Sequence, residues 1–141
     1  MADGLRGTVA LMTGASSGIG AATAAALARK GASVALVARR RDRLQAVAAG
    51  IRDAGGSALV VEADITSQTQ AATAVKRTVA ESGRPDAAVN NAGLMLLESV
   101  AEAPDGKWER MIAVNLHPVL HLTKAALPRL HELPRQAETP R

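Results

Sequence analysis

The sequence predicts an α/β fold in which helices cover both faces of a parallel sheet. Short apolar runs rich in β-branched residues alternate with longer segments of helical periodicity, and glycines stand at several of the junctions. Strands that alternate with helices of this length form right-handed βαβ crossovers, which build a parallel sheet. With 141 residues and 48% apolar content, the chain has the size and composition of one globular domain.

Four apolar runs have the length of buried parallel strands. They are residues 8–12, 33–38, 58–62 and 86–90. The helical segments between them cover residues 19–30, a stretch from about Leu44 to Gly55, and residues 67–82. These alternating elements predict about four strands with their flanking helices.

A last long helix is predicted to start near Asp105. One face of it carries Trp108, Met111, Ile112, Asn115, Leu116 and Val119, and this stripe is expected to be buried. Pro118 lies inside the segment, and a proline within a helix removes a backbone hydrogen bond. We therefore expect a kink at Pro118.

Composition narrows the classes of function. The chain has no cysteine, which excludes disulfides and thiolate metal sites. Its net charge is +4, but the arginines are scattered and Trp108 is the single aromatic residue, so no nucleic-acid partner is expected. No signal-peptide pattern and no apolar run of about 18 residues occurs, so we expect a cytoplasmic protein without membrane association.

The segment Thr13–Gly20 spaces its glycines as Gly-x-x-x-Gly-x-Gly between a predicted strand and a predicted helix. Gly14 permits a tight turn off the strand, Gly18 lets a pyrophosphate approach the backbone, and Gly20 allows close helix–strand packing. The helix start supplies free N–H groups and a partial positive charge. The predicted dinucleotide contacts here are Gly14, Ser16, Ser17, Gly18, Ile19 and Gly20.

Two alternatives to a dinucleotide site bear on the same segment. A plain Gly-rich loop has the same composition, although it does not explain the strand before the loop and the helix after it. A P-loop is excluded because no Gly-Lys-Ser/Thr follows the turn, so NTP hydrolysis is not expected.

The second strand ends in Ala38-Arg39-Arg40-Arg41 and carries no carboxylate there. An acidic residue at this position accepts hydrogen bonds from the ribose hydroxyls of NAD, whereas an arginine suits the 2′-phosphate of NADP. We therefore predict that Arg39 and Arg40 favour NADP(H) over NAD, through the planar donor fork of a guanidinium. A solvated basic helix start is the alternative.

Together with Asn90-Asn91-Ala92-Gly93 after the fourth strand, Thr13–Gly20 resembles the short-chain dehydrogenase/reductase family, with a likeness running from about Leu5 to Leu127. The resemblance implies a Rossmann-type doubly wound sheet in the family's strand order 3-2-1-4-5-6-7, of which this chain would hold the first four strands. It also implies an NADP(H)-dependent oxidoreductase that acts on a carbonyl or a secondary alcohol.

The same resemblance gives roles to individual residues. Asp64 is implied as the acceptor for the adenine amino group, with Ile65 beside it. Asn90 is implied to tie neighbouring strands together, and Asn91, Ala92 and Gly93 to lie along the cofactor ribose. An ordinary Asn-Gly turn is the alternative for this last segment.

Asn115 is the candidate catalytic residue. On a buried stripe its amide would need partners, because an unpaired buried amide costs about 1–3 kcal/mol. The family resemblance implies an asparagine that positions a water in a proton relay, and the alternative is an amide bonded to a neighbouring carbonyl. His117 and His121 lie one helical turn apart but lack a third ligand, so no metal is expected.

The family also uses an orienting serine and a Tyr-x-x-x-Lys in which tyrosine is the general acid/base. This sequence contains no tyrosine. We therefore interpret residues 1–128 as an incomplete cofactor-binding domain and residues 129–141, rich in Pro, Arg and Glu, as an irregular tail. A frameshift, an early stop or a mis-annotation would each produce such a sequence.

Three hypotheses about function are compatible with the sequence. The first is an NADP(H)-dependent short-chain oxidoreductase of which this chain holds the cofactor part. The second is a non-catalytic NADP-binding module, and the third is an interaction subunit that pairs through the helix bearing Asn115. Family members would form homo-oligomers, which are not expected for this incomplete chain. Its fourth strand would instead be an open apolar edge, which invites aggregation or pairing with another chain.

Overall fold

Four strands alternate with helices in the computed structural model, which describes residues 4–130. The strands are β1 Val9–Thr13, β2 Ser33–Ala38, β3 Ser57–Glu62 and β4 Ala87–Val89. The helices are α1 Gly18–Arg29, α2 Arg41–Asp53, α3 Gln68–Ser82, α4 Asp105–Asn115 and α5 His117–Leu130. The predicted α/β class is confirmed.

The strands form one parallel sheet in the order β3-β2-β1-β4. Leu11 of β1 is in register with Ala35 of β2 on one side and with Ala88 of β4 on the other. The chain first builds outward from β1 to β3 and then returns to the far side of β1. In such sheets a crevice opens at the carboxyl ends of the strands where the direction of winding reverses, here between β1 and β4.

Each face of the sheet has its own hydrophobic cluster, because successive strand residues point to opposite faces. Met12 and Leu36 face α1 and α2, where they pack with Leu44 and Ile51. On the other face Leu11, Ala35 and Val37 pack with Val75 of α3 and Leu122 of α5. The two clusters hold α1 and α5 at fixed positions on opposite sides of the same strands.

β4 is shorter than the predicted run 86–90, since it covers only Ala87–Val89. Asp86 precedes it and makes a reciprocal pair of hydrogen bonds with Val9. The Asp86 amide donates to the Val9 carbonyl at 2.8 Å, and Asp86 Oδ2 accepts from the Val9 amide at 2.8 Å. Asp86 therefore sets the register of β4 against β1.

The predicted single helix from Asp105 is wrong, because two helices occur there. α4 ends at Asn115 and α5 begins at His117, so Pro118 lies in the first helical turn, where its missing N–H leaves no bond unmade. The helix is interrupted at Leu116, whereas a kink at Pro118 was predicted.

The predicted burial of the stripe on this segment is also wrong. No residue of α4 is buried, and Trp108, Ile112 and Leu116 are 40%, 49% and 51% exposed. Met111 and Val119 are half-buried, so within residues 4–130 the stripe is covered only in part. Asn115 is likewise exposed.

The predicted boundary at residue 128 falls within α5, which continues through Arg129 and Leu130. Residues 131–141 of the predicted tail lie outside the described part of the chain, so the division into 1–128 and 129–141 stays a prediction. Over residues 4–130, none of the helices has the length and apolar content required to span a bilayer.

Candidate functional site

A cleft of about 380 Å³ opens at the carboxyl ends of the strands. Its walls come from the β1–α1 turn, the end of β2, the loop after β3, the loop after β4, and the α4–α5 junction. The lining residues are Gly14, Ser16, Ser17, Ile19, Gly20, Val37, Ala38, Arg39, Arg40, Ala63, Asp64, Ile65, Thr66, Asn91, Ala92, Gly93, Val114 and Pro118. The structure thus brings every predicted cofactor-binding residue except Gly18 to one cleft.

Two glycines of the β1–α1 turn lie where a Cβ atom would clash with neighbouring backbone, and one of them also has a positive φ. Gly14 has a φ of 64°, and a Cβ on it would lie 2.9 Å from the Ala92 Cα. A Cβ on Gly20 would lie 2.1 Å from the Gly14 carbonyl oxygen, so α1 packs against the turn itself rather than against a strand. A side chain at either position would separate the turn from the loop after β4.

Gly18 differs from both, because a Cβ on it would meet no atom within 4 Å. Its φ of 55° is in the left-handed region that glycine adopts freely. Gly18 therefore starts α1 with exposed backbone and open space in front of it.

The start of α1 has no side-chain cap. Ser17 is the N-cap residue in extended conformation, its side chain makes no capping bond, and the first turn contains no acidic residue. The first N–H groups of a helix lack intrahelical partners and carry a partial positive charge. Ile19 is 79% exposed beside them, which places an apolar surface next to a cationic one.

The end of β1 is joined to the loop after β4 by the hydroxyl of Thr13. This buried Oγ1 donates to the Val89 carbonyl at 3.2 Å and accepts from the Asn91 and Ala92 amides at 3.0 and 3.1 Å. Sequence reasoning placed Thr13 within the glycine motif but gave it no role. A polar residue at the end of an otherwise apolar buried strand was the signal available.

The family resemblance implied that Asn90 ties the neighbouring strands together. In the structure this residue is Asn91. Asn91 Nδ2 donates to the Thr13 carbonyl at 3.2 Å and to the Gly14 carbonyl at 3.3 Å. Asn90 is exposed, and its amide donates to Thr123 Oγ1 at 3.4 Å. The backbone turns after Val89, so Asn91 is the residue that faces β1.

One end of the cleft carries opposite charges side by side. Arg39 and Arg40 follow β2 and are exposed, and Asp64 follows β3. A hydrogen bond from the Thr66 hydroxyl to Asp64 Oδ1 at 2.7 Å lowers the pKa of Asp64, partial burial opposes this shift, and the Arg39 charge adds to it. Asp64 is therefore an anionic acceptor at neutral pH.

Asn115 does not line the cleft, although its neighbours Val114 and Pro118 do. Its Oδ1 accepts from the Leu94 amide and its Nδ2 donates to the Leu94 carbonyl, both at 2.7 Å. These two bonds fix the loop after Gly93 to the end of α4. They correspond to the alternative in which the amide bonds a neighbouring carbonyl, and the water-positioning role stays a prediction.

His117 and His121 lie with their ring centroids 6.2 Å apart, and His121 Nδ1 is 3.3 Å from the Ile65 carbonyl. Within residues 4–130 no three side chains of the His, Cys, Asp or Glu type cluster in a way that could hold a metal ion.

A four-stranded parallel sheet with a glycine turn facing a cleft at its carboxyl edge defines a Rossmann-type fold. The family model for short chain dehydrogenases matches residues 8–137. The chain therefore belongs to the short-chain dehydrogenase family. An uncharacterised oxidoreductase of Methylorubrum extorquens is 41% identical over 129 residues, which cover 91% of this chain and 52% of that protein.

Two solved structures illustrate the likeness. L-sorbose reductase of Gluconobacter frateurii, solved with NADPH and L-sorbose, has a TM-score of 0.85 and 34% identity over 92% of this chain and 50% of its own. A metagenomic short-chain oxidoreductase in complex with NADP has a TM-score of 0.84 and 38% identity over 89% of this chain and 57% of its own. The chain spans about half the length of the bacterial oxidoreductases to which it is similar, and a tenth of the length of a glycine betaine reductase of Emericella nidulans.

Replacing Thr13 by valine keeps the side-chain volume but removes the hydroxyl. The Asn91 and Ala92 amides would then lose their acceptor, and an unpaired buried group costs about 1–3 kcal/mol. We expect the free energy of unfolding, measured by urea denaturation, to fall by at least about 1 kcal/mol in Thr13→Val. Thr13→Ser retains the hydroxyl and is the control; equal stability of the two variants would contradict this account.

Replacing Thr66 by valine removes the hydroxyl donor to Asp64 and raises the pKa of Asp64 toward its ordinary value of 3.8. A lowered carboxyl pKa stabilises the fold fully at pH values above the ordinary pKa of 3.8, and this contribution is lost as the pH falls through the pKa of the folded protein. The difference in free energy of unfolding between wild type and Thr66→Val should therefore shrink as the pH falls below 3.8. NMR titration of the Asp64 carboxyl tests the shift. An unchanged pKa in Thr66→Val would show that the hydroxyl has no such effect.

Proposed function

We propose that the cleft binds NADP(H) in preference to NAD(H). The observation that carries this proposal is the pair Arg39 and Arg40 at the end of β2, where both residues line the cleft. Asp64 is the one acidic residue among the lining residues, and it follows β3 instead of β2. A 2′-phosphate beside Arg39 would gain charge-assisted hydrogen bonds and meet no carboxylate from β2.

The rest of the cofactor can be assigned along the cleft from this anchor. The adenine amino group would donate to Asp64, and the pyrophosphate would lie against the uncapped start of α1, where the backbone at Gly18 is open. The nicotinamide ribose would then follow Asn91–Gly93. The NADPH and NADP complexes of the two structural neighbours support this choice of ligand.

The proposed reaction is hydride transfer with a carbonyl or a secondary alcohol as substrate. Bound NADP(H) would donate or accept the hydride, and the protein would orient the ring and exclude water. Asn115 is proposed to position a water in the proton relay. Its Oδ1 has two lone pairs, so it can accept from a water while keeping the bond to Leu94.

A non-catalytic nucleotide-binding module is the second candidate. It is favoured by the position of Asn115, which does not line the cleft and whose side-chain amide already bonds Leu94 through both of its polar atoms. Turnover separates the two candidates, whereas cofactor binding is common to both. The cytoplasmic location and the oligomeric state remain predictions.

The cofactor preference is tested with Arg39→Ala. We expect wild type to bind NADPH more tightly than NADH in fluorescence titrations, and the variant to lose most of this difference. Loss of a charge-assisted contact in a partly exposed site corresponds to about one to two decades in affinity.

Arg43→Ala is the matched control, because Arg43 is an exposed residue of α2 outside the cleft. Its preference for NADPH should equal that of wild type. Equal affinities of wild type for NADPH and NADH would refute the proposed preference.

The second test concerns turnover by the 141-residue chain alone. We expect no oxidation of NADPH with a panel of aldehydes and ketones, even where binding is measurable, because no phenol is available for proton transfer. Absorbance of the reduced nicotinamide gives the rate. Multiple turnovers that co-purify with the chain and are lost in Asn115→Ala would contradict this expectation.

A further inference from the structure

We propose that His121 is a positioning residue for the adenine side of the cleft. The inference rests on the proposed function, since it assumes that the nucleotide contacts Asp64 and Ile65. His121 itself does not line the cleft, so any effect on binding passes through the loop between β3 and α3.

The bonds within that loop are local and fix its shape. The Asp64 amide donates to Gln70 Oε1 at 2.8 Å, and the Asp64 carbonyl accepts from the Ser67 amide at 3.1 Å. The Thr66 amide donates to Asp64 Oδ1 at 3.0 Å. All three bonds join residues of the loop to one another or to the first turn of α3. None of them fixes the loop relative to α5.

His121 supplies a connection to α5. Its Nδ1 lies 3.3 Å from the carbonyl oxygen of Ile65. A carbonyl can only accept, so the tautomer that carries a proton on Nδ1 is the one that forms a hydrogen bond here. The bond joins the middle of the loop to a helix far away in sequence.

α5 is a firm base for this bond. Leu122, the next residue, is fully buried in the cluster that contains Leu11 and Val37, and Pro118, one turn earlier, is buried and lines the cleft. Ile65 also packs against that cluster. His121 thus extends from a helix whose position the sheet determines, and it holds the carbonyl between two residues of the cleft wall, Asp64 and Thr66.

Without this donor the loop would keep its internal bonds but would be held less firmly against α5. The Asp64 carboxylate would then be distributed over a wider range of positions relative to Arg39. A ligand that needs both groups at once would bind more weakly, although the folded chain would be retained. We expect roughly a three- to tenfold loss of affinity, which is typical of one neutral hydrogen bond.

The test measures binding of adenosine 2′,5′-bisphosphate, the adenosine half of NADP, by calorimetry at a temperature where every variant is folded. His121→Ala should bind it roughly three- to tenfold more weakly than wild type. His121→Asn should restore most of the affinity, because the asparagine Nδ2 is separated from Cβ by the same number of bonds as the histidine Nδ1. His117→Ala, one turn earlier on the same helix, should leave the affinity unchanged.

The outcomes separate this inference from the proposed function. If wild type does not bind the bisphosphate, the proposed function fails. If wild type binds and His121→Ala binds equally well, only the positioning role is overturned. Equal losses in His121→Ala and His121→Asn would also overturn it, because the effect would then come from the ring's packing and not from the donated bond.

Discussion

The buried hydroxyl of Thr13 is the point at which the two halves of the cleft wall meet. Its oxygen donates to the Val89 carbonyl of β4 and accepts from the backbone amides of Asn91 and Ala92 in the loop after β4. The side-chain amide of Asn91 donates in the opposite direction, to the Thr13 and Gly14 carbonyls. These bonds therefore join the glycine turn to the Asn91–Gly93 loop from both sides. The junction thus fixes the loop after β4 beside the open backbone at the start of α1, while the cluster around Met12 and Leu36 holds α1 itself.

The electrostatic character of the cleft follows from the ends of its elements. An uncapped helix start and two arginines contribute positive charge, and a single ionised carboxylate stands across from Arg39. Charges of both signs and an exposed isoleucine in the same cleft favour a ligand that is anionic but carries a neutral donor and flat apolar surfaces. A dinucleotide has all of these features, whereas a simple phosphate has only the charge.

The strands and most helices could be predicted because buried β-branched runs and helical spacing are local signals. The exposure of the stripe on α4 could not be predicted from the sequence. Helical spacing such as that of Trp108 and Ile112 shows which residues lie on one side of a helix, but not whether another element covers that side. The role of Asn91 was missed for a related reason: β4 ends at Val89, so strand alternation no longer tells which of two adjacent asparagines points to β1. The break at Leu116 had no local signal beyond Pro118.

The contact between Gly20 and the Gly14 carbonyl limits how this gene can vary. Every single-nucleotide missense change in a glycine codon introduces a residue with a Cβ, and that atom would lie 2.1 Å from a backbone oxygen. The nearest atom belongs to the backbone and cannot yield as a side chain could, so the turn itself would have to move. A non-synonymous single-nucleotide change at codon 20 would therefore displace the turn, so chains that keep this cleft should carry only synonymous changes there.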